Sequence, residues 1–258
     1  MTSTLAYNVE KQLNFSSSHI DAKYIENVRN YNINNETIVV NPHMWDVFVG
    51  EPVRNIIPAF SSTILKDITV EKAEALIAIE VKDIINIGNI LLEEGWFFLG
   101  DTIEDPPTGS NTSEISYPKN TPLWKSPQYD AGIVEIDPYY MTRQAKTPTQ
   151  NQSFVLKLNL WFAPSYTNCF IHNKHDFIEI HTQIFGTGRM QKFKAQDYGT
   201  LYEDMLMSPG FTTYVPFCQV EENNKYIYPW HQYYADTDCI WMAIEYHPLA
   251  KAETQQLD

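Results

Sequence analysis

Residues 152–162 read QSFVLKLNLWF. Phe154, Leu156, Leu158, Leu160 and Phe162 fall on alternate positions, with Lys157 and Asn159 between them. A side-chain period of two belongs to extended backbone, so the stretch predicts a half-buried β-strand. Strand-like runs follow at 166–171, 177–185, 188–194, 211–217, 226–234 and 238–246, and Pro164, Gly186, Gly188, Gly199, Pro209 and Gly210 separate several of them. Short strands punctuated in this way predict a sandwich or a small barrel.

Upstream the pattern changes. Residues 101–129 carry five prolines and few apolar side chains, which reads as a linker or surface excursion. Between Thr69 and Gly95, Ala73, Ile77, Val81, Ile84, Gly88 and Leu91 recur at spacings of three and four. With Thr69 as cap and Gly95 as stop, this predicts a helix, although Ile77, Ile79 and Val81 also alternate like a strand. Residues 1–60 read as an irregular region with a few strands. The expected architecture is mainly β, with a β-barrel over 131–258 and a mixed α/β extension over 1–130. That extension would pack on the barrel or build a homodimer interface.

Composition narrows the function classes. With 43% hydrophobic residues and 6 Trp, 16 Tyr and 13 Phe in 258 residues, the chain can bury a large core and is not a disordered sequence. A net charge of −14 and no cluster of Lys and Arg argue against nucleic acid and anionic membranes as partners. The start, MTSTLAYNVEKQLNF, has no basic segment followed by an apolar one, and no stretch nears the ~18 apolar residues of a membrane span. Cys169, Cys218 and Cys239 are too scattered for a zinc ribbon or a disulfide framework. A cytoplasmic protein is expected. No G-x-G-x-x-G, P-loop or G-x-S-x-G motif is present, so neither nucleotide cradling nor a nucleophile elbow has support.

Histidine marks the chemistry. Of seven histidines, His172, His175, His181, His231 and His247 fall in the last third. In a strand over 177–185, Glu179, His181 and Gln183 share one face. Three such groups cannot face a dry core without water, hydrogen-bond partners or a metal. His175 and Glu179 would lie ~13 Å apart on a straight strand, too far for one ion with bonds of ~2.1 Å. A bend at the polar residues Asn173, Lys174 and Asp176 would let His172 or His175 converge with Glu179, and His231 could complete the set. Imidazoles with one carboxylate suit Fe(II), Mn, Ni, Cu or Zn. The plainer alternatives are a surface ion pair for His175 and Glu179, an exposed turn for His172, and an aromatic stack around His231. Tyr228, Trp230 and Tyr233 are core residues or the wall of a ligand cavity. Arg189 and Gln183 could bind a polar substrate group, though Arg189 reads more simply as solvated. His19 and His43 have no notable neighbours, and His247 beside Pro248 reads as surface.

The stretch HNKHDFIEIHTQIFG, 172–186, resembles the first motif of the cupin superfamily, G(X)5HXH(X)3,4E(X)6G. His175 takes the second histidine position, Glu179 the glutamate and Gly186 the closing glycine. GFTTYVP is similar to the start of the second motif, G(X)5PXG(X)2H(X)3N, through Gly210 and Pro216, with His231 at its histidine. The departures are Asn173 at the first histidine, a missing first glycine, a lost P-x-G and Ala235 in place of Asn. About ten extra residues also separate Pro216 from His231, and these predict an exposed loop at the barrel rim.

The resemblance implies a jelly-roll barrel whose mouth holds one divalent metal ion, Fe(II) first, through His175, Glu179, His231 and His172. Since Asn173 displaces the first histidine, His172 reaches this site only through a bulge. His181 and Gln183 would be further ligands or partners of Glu179. The implied function is a metal-dependent enzyme of oxygenase or isomerase type acting on a small molecule. The alternatives are a non-catalytic cupin used as a small-molecule binding or sensor module, and a structural or assembly protein.

Overall fold

The computed structural model describes residues 6–50, 52–103, 118–144, 147–221 and 225–249. Antiparallel strands build almost all of it. The N-terminal sheet consists of β1 (Val9–Gln12), β2 (Ile20–Ile33), β3 (Thr37–Val40), β4 (Val47–Val49), β5 (Asn55–Ile57), β6 (Ser62–Leu65) and β7 (Ile68–Val81). Its main order is β1-β2-β7-β3-β6, with β4 joined to β7 and β5.

Here the helix expected from Thr69 is corrected. That segment is β7, paired with β2 from Ile20↔Val81 to Ile33↔Ile68, and only a 3-10 turn at Ile87–Leu92 follows it. Among the described residues the single α-helix is the turn Pro138–Met141. The misleading spacing has a cause: β7 is buried on both faces. Ala75, Ile77 and Ile79 pack into one core and Val70, Leu76 and Ala78 into another. A strand without a wet face loses the polar alternation that distinguishes it from a helix.

The C-terminal region adds a second sheet made of β8 (Phe97–Phe98), β9 (Trp124–Lys125), β10 (Tyr129–Ile136), β11 (Gln152–Ala163), β13 (Ile178–Phe185) and β19 (Cys239–Pro248). Its order is β13-β19-β11-β9-β8, with β10 also on β11. A third sheet, β12-β18-β14-β15, contains β12 (Thr167–Asn168), β14 (Gly188–Phe193), β15 (Leu201–Met207) and β18 (Trp230–Ala235). The alternation in 152–162 now has its meaning. Phe154, Leu156, Leu158, Leu160 and Phe162 turn toward the N-terminal sheet and share one core with Ile20, Tyr24, Ile77 and Ile79. Cys239, Trp241 and Ala163 of the second sheet meet Met190, Tyr233 and Ala235 of the third in a smaller core.

Three further expectations change. Residues 97–98 and 124–125 are strands of the second sheet, so both ends of the presumed linker belong to the barrel; residues 104–117 lie outside the described ones. The run 211–217, bracketed by Pro209 and Pro216, forms only a bridge, Thr182↔Thr212. The insertion before His231 is a hairpin, β16 (Gln219–Val220) and β17 (Tyr226–Ile227), with residues 222–224 outside the described ones. It is not a free rim loop, because Cys218, Val220, Tyr226 and Tyr228 are buried in the main core. No helix among the described residues is long and apolar enough to cross a membrane.

Candidate metal centre

Strand parity aims Glu179 and His181 of β13, and His231 and Tyr233 of β18, into the space between the second and third sheets. A two-residue β-bridge brings His172 alongside: its N–H donates to the His231 carbonyl and its carbonyl accepts from the His231 N–H, both at 2.9 Å. This bridge does what a bulge was expected to do. Just upstream, Tyr166 has φ 63° and Phe170 φ 85°. Tyr166 takes the left-handed backbone that glycine adopts at least cost.

One ring nitrogen from each of His172, His175 and His231 lies within 4.8 Å of the others. His175 Nε2 is 3.2 Å from His231 Nε2. Glu179 Oε1 is 3.4 Å from His175 Nε2 and 3.9 Å from His231 Nε2. Donors bonded to one ion at ~2.1 Å are separated by roughly 3–4 Å, so His175, His231 and Glu179 are spaced for a single metal, with a His172 nitrogen within 4.8 Å of those of the two other histidines. The tautomers agree. His172 Nδ1 lies 3.0 Å from the Phe170 carbonyl and His231 Nδ1 2.9 Å from the Pro229 carbonyl. Each Nδ1–H donates there, which leaves the Nε2 lone pair facing the cluster.

Electrostatics point the same way. Burial lowers the pKa of His172, takes that of His175 down to about 4, and holds His231 well below the usual imidazole range. These rings are neutral, as ligands must be. Burial also raises the Glu179 carboxyl, a buried charge that a cation would relieve. Glu179 is held in place through its backbone N–H, which donates to Tyr228 Oη at 3.1 Å, while Tyr228 Oη donates to the Phe177 carbonyl at 3.0 Å.

The remaining candidates separate. His181 Nε2 stands 4.0 Å from Glu179 Oε2, on the side away from the three imidazoles, and its Nδ1 is buried without a hydrogen-bond partner. Gln183 shares the face but turns its amide to the Phe185 carbonyl. Tyr233 lines the cavity, whereas Tyr228 is a brace behind His175 and Glu179. Trp230 is corrected: adjacent to His231 in β18, it points to the opposite face and pairs across to Phe193. Arg189 is bound to Asp236 and Asp204, away from the site. His43 is no incidental residue, since it is buried against Tyr24 Oη at 3.1 Å. Nor is His247 plain surface; it stacks on Phe177 and lies 2.8 Å from Glu245 Oε2.

His172, His175 and Glu179 form one wall of a cavity of about 540 Å³, large enough for a small organic molecule, and His231 is fully buried beside them. Glu245 and Lys125, neither singled out by sequence reasoning, also face it. The register of β13 and β19 places Glu245 directly beside Glu179. A lone glutamate in the apolar run CIWMAIEYHP was the available signal for Glu245. Lys125 gave none, because it lay in the presumed linker.

No family model and no curated protein matches the sequence. Solved structures similar to it include the ectoine synthase from P. lautus, at 12% identity and TM-score 0.27, over 52% of this chain and 70% of that one. The Bacillus subtilis oxalate decarboxylase, with Mn(II) centres, is similar at 11% identity and TM-score 0.28 over 96% and 79%. The cupin 2 conserved barrel domain protein from Leptotrichia buccalis is similar at 12% identity and TM-score 0.27 over 95% and 91%. Overlaps this loose leave the reading of the site to its own geometry.

Proposed function

We propose that this protein is a metal-dependent cupin enzyme acting on a small molecule, with one divalent ion held by His172, His175, Glu179 and His231. The observation that carries this reading is the convergence of three neutral imidazoles and one carboxylate, 3.2–3.9 Å apart for His175, His231 and Glu179, beside a cavity that His172, His175 and Glu179 line. Bound there, Fe(II) or another divalent ion would supply a Lewis acid with open coordination positions, the basis of oxygenase or isomerase chemistry. The chain's own contribution is positional. Backbone carbonyls fix the rings of His172 and His231, Tyr228 fixes Glu179, and Trp161, Phe177 and Trp241 give the cavity apolar walls.

The test is metal content by elemental analysis of untagged protein, reconstituted in turn with Fe(II), Mn, Ni, Cu and Zn. One equivalent of at least one metal is expected, and His175→Ala, His231→Ala and Glu179→Gln should lose most of it. His247→Ala should keep it. Sub-stoichiometric binding of every metal by the folded protein would replace this reading with a non-catalytic small-molecule binding module.

A further inference from the structure

Lys125 is the cationic head in a cavity that otherwise offers carboxylates and imidazoles. Its side chain is only 20% exposed, and among the described residues its ammonium makes no hydrogen bond. Glu245 Oε1 stands 3.9 Å away and the Trp161 ring centre 5.0 Å away. Glu245 is already engaged: Oε1 accepts from Asn159 Nδ2 at 2.7 Å and Oε2 meets His247 Nε2 at 2.8 Å. Lys125 therefore sits near the Glu245 carboxylate and the Trp161 ring with its three N–H groups outside hydrogen-bond reach of both, and can donate them to an acceptor in the cavity.

Formal charge says what that is. With imidazoles counted as neutral, Glu179 and Glu245 against Lys125 leave the cavity at about −1, and a divalent ion turns this to about +1. The loaded cavity then favours a single negative charge. Its other walls are apolar, built from Leu99, Leu123, Trp161, Phe170, Phe177 and Trp241. Building on the proposed metal centre, we infer that the ligand is a small monocarboxylate with a ring-sized apolar body, its carboxylate held by Lys125 and its body among these side chains. Glu245 lies between Lys125 and Glu179, so a molecule anchored at Lys125 reaches across toward the metal cluster.

The experiment uses the full chain loaded with Zn(II), which binds without redox turnover, and titrates benzoate and benzamide by calorimetry. Benzoate should bind at least tenfold tighter than benzamide. Lys125→Met, which keeps the apolar stem, should remove that preference at unchanged zinc content, and Lys125→Arg should restore it. An unchanged preference in Lys125→Met, or equal or undetectable binding of both probes by zinc-loaded wild type, would overturn the inference and leave the metal centre standing. Failure of the wild type to hold zinc or any other metal would instead sink the metal centre, and the inference with it.

Discussion

At the scale of single residues, His172 and His181 separate by where their nitrogens point. His172 belongs to the trio within 4.8 Å, whereas His181 faces the far oxygen of Glu179 at 4.0 Å. His172→Ala should remove a ligand and abolish stoichiometric metal binding. His181→Ala should retain one equivalent at an affinity weaker by roughly 10–100-fold, as for groups that orient a ligand. Competition with a chelator of known affinity reads both, and stoichiometric metal in His172→Ala would count against its place among the ligands. His43 makes a different prediction. Burial in the folded chain takes its pKa down to about 4, against ~6.5 when unfolded. Below ~6.5 the unfolded chain takes up a proton that the folded chain refuses until about pH 4. The contribution of His43 is therefore complete above ~6.5 and is lost as pH falls toward 4, by about 3 kcal/mol at most. Urea midpoints at pH 7 and pH 4.5 should fall less steeply for His43→Gln than for wild type; parallel losses would refute the assignment.

At the scale of elements, the turn after β13 shows what a motif residue does physically. Gly186 has φ 73°, and a Cβ there would sit 1.9 Å from the Asp238 carbonyl oxygen, a backbone atom that cannot step aside. Gly186→Ala should cost about 2 kcal/mol or more, read as a lowered urea midpoint, because it adds a clash to a strained backbone. Since β13 carries Glu179, metal affinity should fall with it; an unaltered midpoint would show that the turn can relax. Legibility also divides by element. Strands with one wet or cavity-facing side, such as β11 and β13, announced themselves by alternation, and the histidine spacing picked out His175, Glu179 and His231, which the fold brings together. β7 did not, since both its faces are buried, and neither did β9, two residues long and set among prolines. Lys125 was hidden with it. The His–Glu cluster was legible because its residue types are rare and costly in strands, whereas the cavity's other polar wall depends on which strands lie side by side.

At the scale of the whole molecule, the second sheet is sealed on one side by the N-terminal sheet and opened on the other by the cavity. Phe154, Leu156, Leu158, Leu160, Ile178, Ile180, Ile240, Met242 and Ile244 share their core with Ile20, Ala22, Ile77 and Ile79. Tyr246 Oη extends the contact by donating to the Pro42 carbonyl at 2.8 Å. The boundary expected near residue 130 therefore runs through strands and side chains that pack as one body, and the N-terminal half acts as the back wall of the barrel that carries the His172, His175, Glu179 and His231 cluster. Each of these side chains gains about 1.5–3 kcal/mol from burial. A folded domain holds only about 5–15 kcal/mol in reserve, so exposing even a few of them is felt. A fragment beginning at residue 131 should therefore lose its fixed tertiary structure, with a collapsed near-UV circular dichroism signal and no stoichiometric metal, even though it retains His172, His175, Glu179 and His231. Adding residues 1–130 as a separate chain should restore both signals if the sheets recognise each other without covalent linkage. A soluble 131–258 fragment that binds one metal and keeps its aromatic signal would show that the second and third sheets suffice, and would reduce the N-terminal sheet to an appendage.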